Sequence, residues 1–343
     1  MKPTDEYKVA DVAESNEFLR PSRHRRKTAA YRRRRLVGGY LAASALWVVF
    51  VGLPVERVVV LLWLFGLLAT SIATEGTDRL KSLARDWGLF AVLLIAYRYS
   101  AGLADGVGRP VAMNGLASID RTIGLGEIPT VRLQSQFDQT GQAPLWQVPL
   151  SFVYISHFFG ILVAGAALWF RDRPAWVGYT KRLLTLGAAA VLTYVIVPAA
   201  PPWMASDAGV IEPIVRSPFL GWERIGLGIV EPVIEQGRAV ANPVAALPSM
   251  HAGFALFIAA FFWPRVGTLA RAALGAYAGA MAFTLVLTGE HWVADVLLGW
   301  AYVAVVMAGW AWWDRRAGPR PGDSELARSA PSESTPVVVP PSR

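Results

Sequence analysis

No cysteine occurs anywhere in the 343 residues, which removes thiolate nucleophiles, disulfides and Cys-ligated metal centres from consideration. Charge is scarce as well. Only 17% of residues are Asp, Glu, Lys or Arg, against about 25% in an average soluble domain. That charge falls into short loops between long uncharged runs, 54% of residues are hydrophobic and mean hydropathy is +0.38. The pattern excludes an ordinary soluble domain and predicts an all-α, polytopic membrane protein. Acidic residues are missing altogether from Arg20 to Arg35, where nine Lys/Arg stand, so much of the net charge of +8 sits in one arm. Beside a hydrophobic run, such an arm orients the chain and meets anionic lipid; membrane lipids, and no nucleic acid, are the expected partners.

The apolar runs predict about eight spans, near 36–53, 55–73, 87–104, 148–170, 181–200, 248–263, 268–288 and 292–313. Four segments follow: a basic disordered arm (1–35), two N-terminal spans (36–84), a larger membrane unit (85–316) and a disordered Pro/Ser-rich tail (317–343). Seven further spans argue that the first helix stays in place as a span and is not a cleaved signal. Arg79, Lys81, Arg85, Arg171, Arg173, Lys181, Arg182, Arg265, Arg271, Arg315 and Arg316 all fall in loops of one side. The opposite short loop has Arg57 alone. Positive charge marks the cytoplasm, so both termini are expected there, in a multi-pass protein of the cell membrane.

Two short phrases carry chemistry: Pro248-Ser249-Met250-His251, and forty residues later His291-Trp292-Val293-Ala294-Asp295. Each opens an apolar run. Forty residues of helix cover about 60 Å, twice the hydrocarbon thickness of a bilayer, so one excursion returns His291 to the face that His251 left. The loop charges make that face extracytoplasmic. His291 and Asp295 are spaced i, i+4, on one helix face, where the carboxylate can fix the imidazole tautomer that leaves a lone pair for attack. The competing reading is a structural pair that anchors a helix start at the interface. Pro248 suits a first turn, Ser249 can cap it or donate to an anion, and the helix N-terminus before His251 suits phosphate.

Together these phrases resemble the type 2 phosphatidic acid phosphatase superfamily, whose PSxH and HxxxD elements carry its catalytic residues. Ala245-Ala246-Leu247-Pro248-Ser249-Met250-His251 and His291 through Gly299 are most similar to its inositol phosphorylceramide synthase and sphingomyelin synthase branch, as is Tyr194 through Pro201-Pro202-Trp203. The likeness covers about residues 85–313. It implies a six-helix catalytic core within 85–316, no cofactor, and a phosphotransferase acting on a lipid phosphodiester. His291, oriented by Asp295, would be the nucleophile and His251 the proton donor. Two cations usual in the phosphatases are missing: Gly102 stands where a Lys would precede Arg109-Pro110, and Leu285 stands six residues before His291. Both would grip a phosphate monoester, so their absence favours a diester. Arg98 and Arg238, with Ser249, are the candidates for the phosphoryl oxygens; Arg121 and Arg132 are less favoured, and His157 reads as a structural histidine. The alternatives are a lipid phosphate or polyprenyl pyrophosphate phosphatase, a metal site built from His157, His251, His291 and Asp295, and a non-catalytic lipid-binding protein.

Overall fold

The computed structural model describes residues 23–50, 57–106, 108–137, 143–227 and 242–316. Its helices are α1 (Arg23–Phe50), α2 (Arg57–Ile72), α3 (Thr77–Gly106), α4 (Asn114–Ile123), α5 (Pro129–Gln136), α6 (Gln147–Arg171) and α7 (Arg173–Ile196). After these come α8 (Pro202–Asp207), α9 (Leu220–Glu223), α10 (Met250–Phe262), α11 (Thr268–Leu287) and α12 (Val293–Arg316). Among the described residues there is no strand, only two isolated parallel bridges. The chain is all-α as expected, and a helix lies at each of the eight apolar runs. Three of them, α6, α11 and α12, are long and apolar enough to cross a membrane by length and composition.

Several boundaries depart from the sequence reading, each for a local reason. Helix α1 starts at Arg23, so residues 23–35 of the arm expected to be disordered are helical; Arg, Lys and Ala are good helix formers and need no apolar face to be so. Residues 1–22 and the tail 317–343 lie outside the described residues. Helix α7 starts eight residues before the expected 181, because Asp172 caps it by accepting the Ala175 N–H at 2.9 Å and Pro174 occupies its first turn. Lys181 and Arg182 looked like a loop in sequence, but both pair with Asp314 of α12, Arg182 at 2.7 Å. Likewise α3 starts ten residues before the expected 87, and Asp86 within it bonds Arg173 and, at 3.0 Å, the indole of Trp169. These pairs bring three cations of α7 against acids of α3 and α12 at one end of the bundle.

Helix α10 is the centre of the packing, touching α6, α7, α11 and α12. Its Phe257 and Phe261 are buried against Tyr179 of α7, in a core that includes Trp87, Leu183 and Leu186. Helix α3 packs on α7, α2 on α3 and α1 on α2, which makes the two N-terminal helices an addition at one flank. Large apolar side chains such as Val163, Leu192 and Val305 remain exposed, as expected of faces that meet hydrocarbon.

At the end opposite the cationic pairs, three extended segments lie side by side. Ala199 donates to the carbonyl of Val244 at 2.8 Å, Ala246 donates to Ala199 at 3.1 Å, and Ala200 donates to Ala112 at 3.1 Å. Through this small ladder the proline-rich turn after α7 and the loop before α4 hold the strand-like approach to Ser249. Trp292, fully buried, donates its indole N–H to the Ala200 carbonyl at 2.8 Å, so the approach to α12 is tied to the same segment.

Candidate active site

Each half of the site is built by a helix start. Ser249 is the N-cap of α10: its backbone is extended and its Oγ accepts the Ala252 N–H at 3.3 Å. Tyr194 steadies the approach by donating to the Pro248 carbonyl at 3.0 Å. His251 is then the second helical residue. On the other side Gly289 takes a φ of +72°, a left-handed turn that favours glycine, and delivers Glu290 and His291 ahead of α12. The two starts are joined by main chain, since the Ser249 N–H donates to the Asp295 carbonyl at 2.9 Å.

His251, His291 and Asp295 meet as the sequence predicts. Asp295 Oδ2 lies 3.3 Å from His291 Nδ1 and accepts the Trp292 N–H at 3.0 Å. His291 Nε2 lies 3.3 Å from His251 Nδ1. With Asp295 accepting a hydrogen bond from Nδ1–H, Nε2 is the nitrogen with the lone pair, and it faces the second imidazole. One detail differs from the expectation of a shared helix face. His291 stands two residues before α12 begins, and Asp295 reaches back from the first turn to hold it. Asp295 is fully buried, and its Oδ1 has no hydrogen-bond partner among the described residues. A buried carboxylate oxygen left so is costly and calls for a functional explanation.

The walls are aromatic and acidic. His157 of α6 stacks on His251 with ring centroids 3.8 Å apart, and Tyr154 stacks on it at 5.3 Å. His157, read in sequence as a structural histidine, therefore stands against the catalytic candidates. The Tyr154 hydroxyl also donates to Glu290 Oε2 at 3.3 Å, and Arg216 Nε donates to Glu290 Oε1 at 2.8 Å while lying 4.4 Å over the Trp203 ring. A cation is thus paired to the residue preceding His291. From the other side Asp120 of α4, fully buried, accepts the Val293 and Ala294 N–H groups, both at 2.9 Å. Burial, with the charge of Asp295 adding to it, pushes the Asp120 carboxyl up to about 6 against those two amide bonds.

The cations named from sequence fare differently. The backbone of Arg98 lies in α3, but its side chain is outside the described residues, as is all of Arg238. Arg132 is spent on Glu127 at 2.7 Å and on the Gly124 carbonyl, and Arg121 faces Glu212 at 3.6 Å. Leu285, in the place of a usual cation, is fully buried in the apolar core, and Gly102 is exposed on α3. Among the described residues no group of three or more His, Asp or Glu side chains is arranged to hold a metal ion. Sequence reasoning gives no site role to Asp120, Tyr154, Arg216 or Glu290. Tyr154 opens the phrase Tyr154 through Phe159 around His157, which has some likeness to the branch that the motifs resemble, and Glu290 is an isolated acid beside His291 at the end of an apolar run.

The described residues are helical, with three helices long and apolar enough to cross a membrane and two imidazoles backed by a carboxylate at one end. Residues 115–309, more than half of the chain, match the PAP2 superfamily. The chain belongs to that superfamily. The match begins at Gly115, later than the expected 85, and takes in both histidine motifs. A phosphoinositol dihydroceramide synthase of Bacteroides thetaiotaomicron is 30% identical over 148 residues, which is 40% of this chain and 47% of that protein, so the alignment spans about half the relative's length. It falls in the branch that the motifs resemble. No solved structure matches.

Proposed function

We propose that the protein is a membrane lipid phosphotransferase that moves a phospho-headgroup, phosphoinositol being the leading choice, from a lipid phosphodiester to an alcohol acceptor. The observation that carries this reading is the line Asp295 to His291 to His251, with 3.3 Å at each step. The diester preference rests on Leu285 and Gly102 in place of cations, and the headgroup on the name of the relative.

In the first half-reaction His291 Nε2 attacks phosphorus and the bond to the diacylglycerol oxygen breaks. His251, protonated, gives that oxygen its proton, and the headgroup phosphate remains on His291. In the second, neutral His251 takes the proton of an acceptor hydroxyl, whose oxygen attacks phosphorus. The P–N bond breaks and the lone pair returns to His291. Entry of the phosphate displaces the hydrogen bond between the imidazoles. The start of α10 offers amide N–H groups to the phosphoryl oxygens, and Arg216 joins Ser249, Arg98 and Arg238 as a candidate to bind them. We place eight helices across the membrane, six of them (α3, α6, α7, α10, α11, α12) around the site, with termini in the cytoplasm and the site at the outer face.

Purified protein in liposomes, given phosphatidylinositol and dihydroceramide, is expected to release diacylglycerol and form inositol phosphodihydroceramide, and without dihydroceramide to release no more than about one diacylglycerol per enzyme. Phosphatidate offered alone is expected to stay intact. Free phosphate from phosphatidate, with no product from phosphatidylinositol, would overturn the reading in favour of a phosphatase. Turnover unchanged by His291→Ala would remove His291 as nucleophile from both readings, and no turnover of either lipid by folded protein would favour a non-catalytic protein.

A further inference from the structure

Two carboxylates share the start of α12, and the reaction above uses one. Asp120 reaches it from α4, 173 residues away from Val293 in sequence. Its two oxygens take the amides of Val293 and Ala294 at 2.9 Å, and Asp295 Oδ2 takes the amide of Trp292 at 3.0 Å. The first amides of a helix have no partner within it. Here those of Trp292, Val293 and Ala294 are claimed by carboxylates, and the peptide so fixed is the one that carries His291.

We propose that Asp120 is a positioning residue: by holding the Val293 and Ala294 amides it sets the angle at which His291 meets Asp295 and His251. An ordinary cap needs less. Ser249 caps α10 with one oxygen, and Asp172 caps α7 with one oxygen at an exposed position. At α12 both oxygens of a fully buried carboxylate are engaged, from a distant segment, beside a second buried carboxylate. Burial and the neighbouring charge oppose the ionised form there, so charge at this position is not what fold stability alone would select. A rigid catalytic backbone is what it supplies. An error of about 1 Å in such a group costs about 100-fold in rate.

This inference rests on His291 as nucleophile, and the test separates the two. In liposomes containing the full chain, Asp120→Asn is compared with wild type and His291→Ala on phosphatidylinositol with dihydroceramide, and on phosphatidate. On whichever lipid the wild type turns over, Asp120→Asn is expected to lower kcat about 10- to 100-fold with KM within about twofold. Asn removes the buried charge but turns an NH2 toward one of the two amides, so its Tm is expected to stay within a few degrees of the wild type and the unfolded fraction not to account for the lost kcat. Asp120→Ser, which keeps a capping oxygen without charge, is expected to give the same split should Asn impair folding. If His291→Ala is inactive while Asp120→Asn keeps full kcat, this inference falls alone. If the rate lost matches folded protein lost, or if neither variant folds, Asp120 is structural and the inference also falls. Turnover that survives His291→Ala removes the functional reading beneath it.

Discussion

His291 is held by one oxygen and faces one nitrogen, and that asymmetry defines what each neighbour does. Asp295 engages Nδ1 through an oxygen that also holds the Trp292 amide. Asp295→Asn keeps the shape but can present an N–H where an acceptor is needed, so the productive tautomer is lost. A fall in kcat on the order of 10³- to 10⁴-fold is expected, by analogy with other carboxylate-histidine pairs, with KM little changed. Steady-state kinetics on the wild-type lipid substrate checks it, and a loss under tenfold would contradict it. Asp120 gives a second expectation, in stability. Its folded carboxyl titrates near 6, above the ordinary 3.8, so the folded state holds a proton that the unfolded state releases between those values. Its contribution is full below about pH 3.8 and is lost as pH rises through 6. Asn carries no titrating charge, and its loss of one acceptor does not depend on pH, so the Tm of Asp120→Asn relative to wild type should be highest near pH 7.5 and lower at pH 5. Thermal unfolding at both pH values reads this, and a relative Tm that is higher at pH 5 would refute the sign.

The helix starts explain why some of this was legible in sequence and some was not. His251, His291 and Asp295 could be found because helix length and bilayer thickness fix where a chain returns, and because a cap and its helix are neighbours in sequence. Asp120, Arg216 and Tyr154 could not, because they reach the site through loops and a facing helix whose register no local pattern encodes. Lys181 and Arg182 misled for a related reason: their partner Asp314 is over 130 residues away. Gly299 lies between these cases. It was read as part of the second motif, and its purpose appears only in packing. A Cβ there would come within 2.3 Å of the Ser249 carbonyl oxygen, which is backbone and has little freedom to move. Gly299→Ala must therefore push the start of α10 away from α12, taking His251 from His291. A loss on the order of 2 kcal/mol in stability or more is expected, with turnover falling by more than the unfolded fraction accounts for. Equal Tm and equal kcat would show that the two helix starts are not in contact.

At the level of the whole molecule, separate segments converge on one end of a helical bundle. The proline-rich turn after α7, the loop carrying α4, the stretch with Arg216 and the starts of α10 and α12 all meet there, while Asp86 and Asp314 gather cationic residues at the far end. The apolar periodicity revealed the helices but not which flank α1 and α2 occupy, since helices that are apolar on most faces carry no mark of their neighbours. In the proposed function this arrangement puts the reacting group at one end and the apolar helix faces along the lipid tails. Its central claim is that a headgroup phosphate rests covalently on His291 between donor and acceptor. The most direct test is to mix the purified protein with ³²P-labelled phosphatidylinositol in the absence of acceptor, quench it, and locate the label by peptide mass spectrometry. The account predicts an acid-labile, base-stable label on the peptide containing His291, absent in His291→Ala and discharged when dihydroceramide is added. Diacylglycerol formed at the normal rate with no label on that peptide, or with label on His251, would contradict it.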